Sequence, residues 1–271
     1  MASKLPEISR SFIQKLLKQG KVTVNGVVAP ARFRVANSDQ IILDYDLDKI
    51  YEYPKIKLPI IYEDDDCLVI NKPIGVLSHS KGAFNPEATV ETFIRDKVKG
   101  LESDRGGIVH RLDRATSGVM ICAKTPAAKA WLQKQFSSRK VKKTYIAVVS
   151  GHLKQPLAII DLPIGRNPRA PATFRVDSNG KRALTTYRVL KTSNNYSLVE
   201  LEPQTGRTHQ LRVHLAHLGH PIVGDTFYNG KPAERLYLHA EALKITLPNQ
   251  QRQKFSIKPP KMFTDILKND G

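Results

Sequence analysis

The order of strand-like and helix-like segments after residue 59 constrains the fold of this chain most strongly. LTTYRVLKT and YSLVELEP flank a short SNN turn and predict an antiparallel pair, and other strand-like runs are CLVINKP, KKTYIAVVSG and LHAEALKITLP. Helical patterns occupy TVETFIRDKV, TPAAKAWLQKQF and THQLRVHLAHLG, and Thr125 and Pro126 suit the start of the second helix. Because hairpins outnumber strand–helix–strand units, the pattern predicts an α+β fold rather than a doubly wound parallel sheet.

The first 45 residues follow a pattern of their own. Ser9 can cap a helix that ends at Gly20. One face of that helix carries four apolar residues: Phe12, Ile13, Leu16 and Leu17. In KVTVNGVVA the pair Asn25-Gly26 separates two valine-rich runs, which predicts a hairpin because both turn residues tolerate positive φ. QIILDY adds another short strand, so we expect a small αβ unit.

Domain boundaries follow from the segment between these two patterns. Residues 46–58 show no clean period and contain Pro54, so they are interpreted as a linker. The predicted organisation is a small domain at 1–47, a linker at 48–58 and a larger domain at 59–271. A length of 271 residues fits this division at roughly 100–200 residues per domain. The tail QRQKFSIKPPKMFTDILK predicts a closing strand and a short docking helix.

The charge of the chain points to a polyanionic partner. Its 43 Lys and Arg residues exceed its 25 Asp and Glu residues, which gives a formal net charge of +18. RNA, DNA and an anionic membrane surface all fit this excess, as does a basic protein whose charge mainly prevents aggregation. No apolar run reaches the roughly 18 residues of a membrane span, and the N-terminus lacks the apolar stretch of a signal peptide. We therefore expect a cytoplasmic protein that does not associate with membranes. The two distant cysteines, Cys67 and Cys122, offer no disulfide framework.

One polar cluster stands out as a candidate site. In GGIVHRLDRATSG a single carboxylate, Asp113, lies among His110, Arg111 and Arg114, just before an apolar strand. A nearby positive charge keeps a carboxylate ionised, and such a group can attack or stabilise an electron-poor carbon. The same residues could equally form a structural ion pair in a turn. The residue pattern alone leaves both interpretations open.

Five sequence blocks give the larger domain a specific resemblance to a known family. HRLDRATSG is similar to the signature of the RluA-type pseudouridine synthases. DDDCLVINKPIGVLSH, KKTYIAVVSG, TGRTHQLRVHLAHLGHPIVGD and LHAEALKITLP resemble further blocks of that family in the same order. The resemblance implies a large, mostly antiparallel sheet and a cofactor-free isomerisation of uridine to pseudouridine in RNA. SRSFIQKLLKQGKVTVNG likewise resembles the RNA-binding domain named after ribosomal protein S-four, here with only eight residues before Ser9.

The resemblance also implies roles for individual residues. Asp113 is carried over as the carboxylate that acts at the ribose anomeric carbon, Arg212 as its ion-pair partner, and Tyr145 as the ring against the target base. Arg111 is the candidate for filling the gap in the base stack that the flipped-out uridine leaves. Further expected RNA contacts are His110, Arg114, Lys72 and Arg207, together with Arg10, Lys15, Lys18 and Lys21 of the N-terminal unit.

A metal site is the rival interpretation of a histidine cluster in the third block. The cluster comprises His209, His214, His217 and His220. No HExxH helix accompanies it and no acidic residue lies within it, so we expect no metal and disfavour a metal-dependent hydrolase. The preferred function is pseudouridine synthesis in large-subunit ribosomal RNA by a monomer. Transfer RNA is the alternative substrate, and a non-catalytic RNA-binding ribosome-assembly factor is the alternative function.

Overall fold

The N-terminal unit is a helix followed by a three-stranded sheet. The computed structural model describes residues 10–45, 54–79, 87–101 and 105–270. The first elements are α1 (Arg10–Lys18), β1 (Val22–Val24), β2 (Val27–Val28) and β3 (Ile41–Leu43). The sheet order is β2-β1-β3, with both pairs antiparallel. Asn25 and Gly26 have φ of 51° and 80°, so the predicted hairpin turn is confirmed.

The apolar face of α1 forms the core of this unit. Phe12, Ile13 and Leu16 are buried against Val22 of β1, and Leu17 packs at their edge. The predicted helix face is therefore confirmed. Ser9 and residues 46–53, which include most of the predicted linker, lie outside the described residues. The predicted domain boundaries stay predictions.

The described residues from 54 onward form eleven strands, with short helices between some of them. The strands are β4 (Ile60–Glu63), β5 (Cys67–Lys72), β6 (Ser117–Ala123), β7 (Lys142–Ser150), β8 (Leu157–Asp161), β9 (Ile164–Arg166), β10 (Phe174–Val176), β11 (Leu184–Thr192), β12 (Tyr196–Pro203), β13 (Leu238–Thr246) and β14 (Arg252–Ser256). The helices are α2 (Val90–Ile94), α3 (Pro126–Ser137), α4 (Gln210–His217) and α5 (Met262–Lys268), with 3-10 turns at Arg95–Lys97 and Thr226–Tyr228.

Nine of these strands form one sheet that carries the site. Its order is β4-β5-β6-β13-β7-β12-β11-β8, and β14 pairs with β13 outside this path. Only β6 and β13 pair in parallel among the described strands of the sheet. The α+β class with a large, mostly antiparallel sheet is thus confirmed. The short β9–β10 pair forms a separate two-stranded sheet that the sequence patterns did not predict.

The helices pack on the sheet through apolar side chains. Leu132 of α3 is fully buried beside Ile121 of β6 and Ile245 of β13. On another part of the sheet, Phe263 of α5 and Leu215 of α4 share a core cluster with β7 and β12. Thr125 caps α3 as predicted, with its side chain accepting from Ala128 N and with Pro126 in the first turn. No helix in the described part of the chain is long and apolar enough to cross a membrane.

Candidate active site

Asp113 lies in the loop that enters β6. A hydrogen bond of 3.0 Å from Thr116 N to Asp113 O closes the loop just before the strand starts. Gly118 follows in the strand with φ of +120°, and a Cβ there would lie 2.2 Å from Ala240 O. Only glycine therefore lets β6 approach β13 so closely. This close pairing fixes the end of the loop at the centre of the sheet.

A second segment, residues 72–78, holds the loop from the other side. Ser78 Oγ accepts from Leu112 N at 3.0 Å and donates to Leu112 O at 2.8 Å. Gly75 N donates to Arg114 O at 2.8 Å. Leu112 and Arg114, the chain neighbours of Asp113, are thus held by hydrogen bonds to residues 72–78, which we call the strap. The strap belongs to the NKPIGVLSH block, whose contribution to the site is to orient the backbone on either side of the carboxylate.

Lys72 is part of this strap rather than of an RNA-facing surface. It is 0% exposed, and its ammonium donates to Pro73 O and Val76 O at 2.8 Å each and to Arg114 O at 3.4 Å. Burial lowers the pKa of Lys72 to about 7, although the charge of Asp113 partly opposes this shift. The predicted phosphate contact is corrected here, because no part of the buried ammonium reaches a surface that RNA can touch.

Arg212 of α4 lies between two carboxylates. Its Nη1 is 3.6 Å from Asp113 Oδ2, so the predicted ion pair is present, while the side chain is only 7% exposed. The shorter contacts join Arg212 to Asp225, with Nε to Oδ2 at 2.7 Å and Nη2 to Oδ1 at 2.8 Å. Burial alone would lower the pKa of Arg212, but the hydrogen bond and charge of Asp225 raise it above its ordinary value. Arg212 therefore presents a permanently charged face to Asp113.

Asp225 was not predicted as a site residue, although it ends the third sequence block. It is 1% exposed and follows Gly224, whose φ is +80°. A Cβ at Gly224 would lie 1.7 Å from Arg235 O, so the turn requires glycine. The Gly-Asp pair was a sequence signal for a tight turn that ends in a carboxylate. Its partner became evident only in the structure, because Arg212 lies thirteen residues away on a helix.

His209 forms a second polar contact with Asp113. Its Nε2 lies 3.9 Å from Asp113 Oδ2, and its Nδ1 is 2.8 Å from the Tyr228 hydroxyl. Tyr228 Oη in turn accepts from Phe174 N at 3.0 Å. A neutral imidazole that accepts from the Tyr228 hydroxyl carries its proton on Nε2, toward Asp113. Burial lowers the pKa of His209, against the opposing charge of Asp113, which favours this neutral form.

Tyr145 and Lys143 project from the same face of β7, because side chains two residues apart in a strand share a face. Both line a cavity of about 560 Å³ together with Asp113 and Arg212. Burial and the charge of Asp113 raise the pKa of Tyr145, so its hydroxyl stays protonated. Lys143, which was not predicted, donates to Thr205 O at 3.1 Å, and burial lowers its pKa to about 8. A cavity of this size lies within the range of ordinary ligand pockets.

The buried side chain of Gln210 holds the TGRTHQL segment in place through hydrogen bonds. Its side-chain Oε1 accepts from Arg207 N at 3.0 Å and from Thr205 Oγ1 at 2.7 Å. Its Nε2 donates to Leu184 O at 3.0 Å. One buried amide thus ties the loop before α4 to β11. Because this loop leads directly into His209, the amide also sets where α4 begins, which places Arg212 over Asp113.

The predicted RNA contacts fall into different surroundings. Arg111 is exposed and lines the cavity. Arg114 is exposed and pairs with Glu87 at 2.5 Å, whereas Arg207 is half-buried and donates to Arg182 O at 3.0 Å. In the N-terminal unit Arg10, Lys15 and Lys18 are exposed, and Lys21 Nζ lies 5.9 Å from the centre of the Tyr45 ring.

His110 has a structural environment. Its Nε2 accepts from Ile121 N at 3.1 Å, and its ring stacks on Phe136 with centroids 4.5 Å apart. Burial lowers the pKa of His110 to about 3, so the ring is neutral at physiological pH. The neutral ring anchors the start of the Asp113 loop on β6. His110 also lines the cavity, so its predicted RNA contact stays a prediction.

The histidines of the third block point to different partners. His214 bonds Thr185 Oγ1 and Leu162 O, both at 3.0 Å, and His220 bonds Ser150 O at 2.9 Å. His217 is exposed, and His209 contacts Tyr228. In the part of the chain that the structure describes, no group of three or more His, Cys, Asp or Glu residues is arranged to hold a metal ion.

Two family models match the chain. The model described as RNA pseudouridylate synthase covers residues 66–217, and the S4 domain model covers residues 1–41. The first range contains Asp113, Tyr145 and Arg212, and ends before Asp225. The second contains α1 and the Asn25-Gly26 hairpin.

Known proteins resemble most of the chain. A ribosomal large subunit pseudouridine synthase D of Pasteurella multocida is 39% identical over 93% of this chain and 78% of that protein. An uncharacterized RNA pseudouridine synthase of Aquifex aeolicus is 40% identical over 89% of this chain and 80% of that protein. The solved structure of human RNA pseudouridylate synthase domain containing 1 superimposes with a TM-score of 0.63 at 32% identity, over 75% of this chain and 84% of that one.

Proposed function

This chain belongs to the RNA pseudouridylate synthase family and is an RNA pseudouridine synthase, and from that premise we propose that it isomerises uridines of large-subunit ribosomal RNA with Asp113 as the catalytic carboxylate. The observation that carries the residue assignment is the placement of Asp113. It is a partly exposed carboxylate, 3.6 Å from the guanidinium of Arg212, in the wall of a cavity of about 560 Å³.

The chemistry of the reaction requires one ionised carboxylate at the sugar. The glycosidic bond from uracil N1 to the ribose anomeric carbon breaks, and positive charge develops on that carbon. Asp113 stabilises this charge or bonds to the carbon, and the N1–C1′ electron pair stays with the base. The base then turns within the cavity and its C5 bonds to the anomeric carbon. The C5 proton passes to water and N1 takes up a proton, so that the product is an isomer of uridine. Arg212 keeps Asp113 aimed through their ion pair of 3.6 Å.

The remaining cavity residues hold the base. The ring of Tyr145 offers a flat apolar surface for uracil, and its protonated hydroxyl is a hydrogen-bond donor. Extracting a stacked uridine costs a few kcal/mol, and Arg111 at the cavity edge is suited to fill the gap that remains in the stack. We assign Arg114 and Arg207 to contacts with the phosphates around the site, since both are accessible.

Ribosomal RNA is the proposed substrate because of the relatives and the N-terminal unit. Several relatives that are 37–39% identical to this chain have names that specify the ribosomal large subunit. The S4 domain match and the exposed Arg10, Lys15 and Lys18 support a second contact with the same RNA. We further propose that the protein works as a monomer in the cytoplasm.

The first experiment measures isomerisation directly. RNA transcribed with tritium at uracil C5 releases the label to water when C5 bonds to the sugar, and the assay contains EDTA to exclude metal-dependent cleavage. Wild-type protein should release tritium from large-subunit RNA, and Asp113→Asn should release none while binding the RNA almost as tightly. Asp65→Asn is the matched control, because Asp65 is an exposed carboxylate outside the site. It should behave as the wild type.

Each other outcome selects an alternative. Release from a transfer RNA panel but not from ribosomal RNA would change the substrate. Tight binding of ribosomal RNA without release from either class would favour the non-catalytic assembly factor. If Asp113→Asn kept the wild-type rate, the assignment of the catalytic carboxylate would be wrong even though the enzyme class stands.

The role of the N-terminal unit has a separate test. Changing Arg10, Lys15 and Lys18 together to Gln should lower the slope of log K against log salt by roughly 0.7–0.9 for each phosphate that the variant no longer neutralises. The rate at saturating RNA should not change. An unchanged slope would show that these residues do not engage phosphates.

A further inference from the structure

Tyr228 lies behind the candidate active site, at the end of the 3-10 turn Thr226–Tyr228. We propose that Tyr228 is a positioning residue for the isomerisation: its hydroxyl fixes which nitrogen of His209 carries the proton, so that an N–H bond of the imidazole faces Asp113. The proposal rests on the proposed function, because it concerns how Asp113 is held during that reaction. Tyr228 is not one of the described residues that line the cavity around Asp113, so its effect on the substrate passes through its neighbours.

The 3-10 turn holds the ring of Tyr228 in place. Tyr228 N donates to Asp225 O at 3.1 Å, and Gly230 N donates to the same oxygen at 2.8 Å. The Asp225 carboxylate, which binds Arg212, also accepts from Phe227 N at 3.3 Å. The Arg212 guanidinium lies 5.1 Å from the centre of the Tyr228 ring, a distance at which a cation is attracted to an aromatic face. The residues that orient Arg212 therefore hold Tyr228 as well.

The hydroxyl of Tyr228 has a defined donor and a defined acceptor. It accepts a hydrogen bond of 3.0 Å from Phe174 N, a group that can only donate. Among the described residues, His209 Nδ1 at 2.8 Å is the acceptor within reach of the single phenolic proton. Burial raises the pKa of Tyr228, so the hydroxyl keeps this proton. The hydrogen bonds therefore run from Phe174 N–H to the Tyr228 hydroxyl, and from that hydroxyl to His209 Nδ1.

This direction determines what the imidazole presents to Asp113. With Nδ1 accepting, a neutral His209 carries its proton on Nε2, which lies 3.9 Å from Asp113 Oδ2. Arg212 Nη1 lies 3.6 Å from the same oxygen. Contacts of this length in a free enzyme often shorten when substrate binds. The opposite tautomer would turn a lone pair toward the carboxylate and repel it.

The two donors face one oxygen of the carboxylate. Both the imidazole of His209 and the guanidinium of Arg212 approach Asp113 Oδ2. In the described part of the chain no hydrogen bond or ion pair reaches Oδ1. Holding Oδ2 from two sides leaves Oδ1 as the oxygen available to the anomeric carbon, so the tautomer of His209 affects how the carboxylate is aimed.

Aromatic rings surround His209. Phe174 and Tyr228 contact its imidazole edge-on, with centroid distances of 5.7 and 5.6 Å, and the Phe227 ring lies 6.3 Å away. The backbone of His209 is left-handed, with φ of 57°, a region that non-glycine residues occupy mainly where the surrounding structure holds them. Because this enclosure restricts rotation of the imidazole, the property that the Tyr228 hydroxyl controls is the tautomer.

The first test removes the hydroxyl and keeps the ring. Tyr228→Phe should slow single-turnover tritium release roughly 2- to 12-fold, the range expected for the loss of one neutral hydrogen bond. Its affinity for large-subunit RNA should not change, because Tyr228 lies behind the cavity. Tyr62→Phe is the matched control, since the Tyr62 hydroxyl makes a hydrogen bond of 2.7 Å to Asp64, outside the cavity lining. It should keep the wild-type rate.

Nitrogen NMR reads the tautomer directly. In the wild-type protein the imidazole signals of His209 should show a bare Nδ1 and a protonated Nε2, and their absence from His209→Gln assigns them. In Tyr228→Phe the Nδ1 atom loses its donor, so its signal should move toward that of a protonated nitrogen as both tautomers become populated. In Tyr62→Phe the signals should stay in place. A merely structural role for Tyr228 predicts no change of tautomer.

A double-mutant cycle tests whether Tyr228 acts through His209. The amide of glutamine places an N–H group near the position of the His209 Nε2 and has no atom in place of Nδ1. In a His209→Gln background, Tyr228→Phe should therefore slow the reaction no further. Equal slowing in both backgrounds would show that the hydroxyl acts by holding β10 through Phe174 N, and would overturn the proposal.

Two further results would overturn the proposal while leaving the enzyme class intact. The first is a wild-type rate of tritium release in Tyr228→Phe. The second needs no variant other than the one used for assignment: a wild-type His209 that carries its proton on Nδ1. Absence of tritium release by the wild type would instead refute the proposed function, and the nitrogen signals would still report the tautomer.

Discussion

Asp225→Asn tests whether the buried carboxylate behind Arg212 positions the guanidinium that faces Asp113. The substitution keeps the size of the side chain and removes its charge. Asp225 makes two contacts of 2.7 and 2.8 Å with Arg212, and their side chains are 0% and 7% exposed. Removing one member of a buried, hydrogen-bonded ion pair leaves an uncompensated buried charge, which costs about 3–5 kcal/mol of unfolding free energy.

The effect on the rate follows from the same geometry. One hydrogen bond between charged groups is worth about 1.5–3 kcal/mol, and each 1.36 kcal/mol changes a rate tenfold. With Asp225 neutral, Arg212 is free to shorten its 3.6 Å separation from Asp113 to a direct hydrogen bond, which weakens the carboxylate as a stabiliser of the anomeric carbon. We expect the single-turnover rate of tritium release to fall by about 10- to 150-fold, with RNA affinity nearly unchanged.

The assay combines urea unfolding with single-turnover tritium release at saturating protein. Asp161→Asn is the control, because it breaks an ion pair with Arg182 whose side chains are 48% and 66% exposed. That pair should contribute no more than about 1 kcal/mol, and its loss should leave the rate unchanged. Wild-type stability in Asp225→Asn would refute the assignment of a buried ion pair. Reduced stability with a wild-type rate would refute the positioning role.

Three further predictions follow from other contacts. Lys72→Met should slow tritium release without weakening RNA binding, because the strap loses the two bonds that shape it, to Pro73 O and Val76 O, and a 3.4 Å bond to Arg114 O of the loop. Equal rates in both proteins would contradict this. Gly118→Ala should lower the free energy of unfolding by at least about 2 kcal/mol, because its Cβ would lie 2.2 Å from Ala240 O. Calorimetry measures this effect, and a melting temperature near that of the wild type would show that β6 can move aside. Burial lowers the pKa of His239 to about 4, so as the pH falls the imidazole is protonated in the unfolded chain at a higher pH than in the folded one. The free energy of unfolding should therefore fall by about 3 kcal/mol between pH 6.5 and pH 4. His239→Asn should reduce this slope in urea titrations, and an equally steep slope would assign the protons to other groups.

Turns, helix starts and helix faces were predictable from the sequence because the residues that determine each of them lie within a few positions of one another. The Asn25-Gly26 turn needs positive φ at both positions, and the structure has it. Thr125 and Pro126 begin α3 by satisfying local donors, and the apolar face of α1 follows helical spacing. The short β9 and β10 strands escaped prediction because each has three residues, too few for a period.

The site was only partly predictable because its contacts join distant segments. The blocks identified Asp113, Tyr145 and Arg212, and the structure brings all three to one cavity. The sequence contained Asp225 and Lys143 but no sign of their partners. It also offered Lys72 and His110 as candidate RNA contacts, whereas in the structure Lys72 is fully buried within the strap and His110 is a neutral ring.

The sequence by itself determined the α+β class and, through its ordered blocks, the resemblance to the family and the choice of Asp113 as the candidate carboxylate. These depend on residue order, composition and short-range spacing, which are properties of the chain before it folds. Only the tertiary structure decided which cations are exposed and which carboxylate holds Arg212. The burial and ion pairing of a side chain depend on the contacts between β6 and β13 and between α4 and the loop of Asp113. These contacts determine whether a lysine or histidine side chain can reach RNA or instead supports the structure.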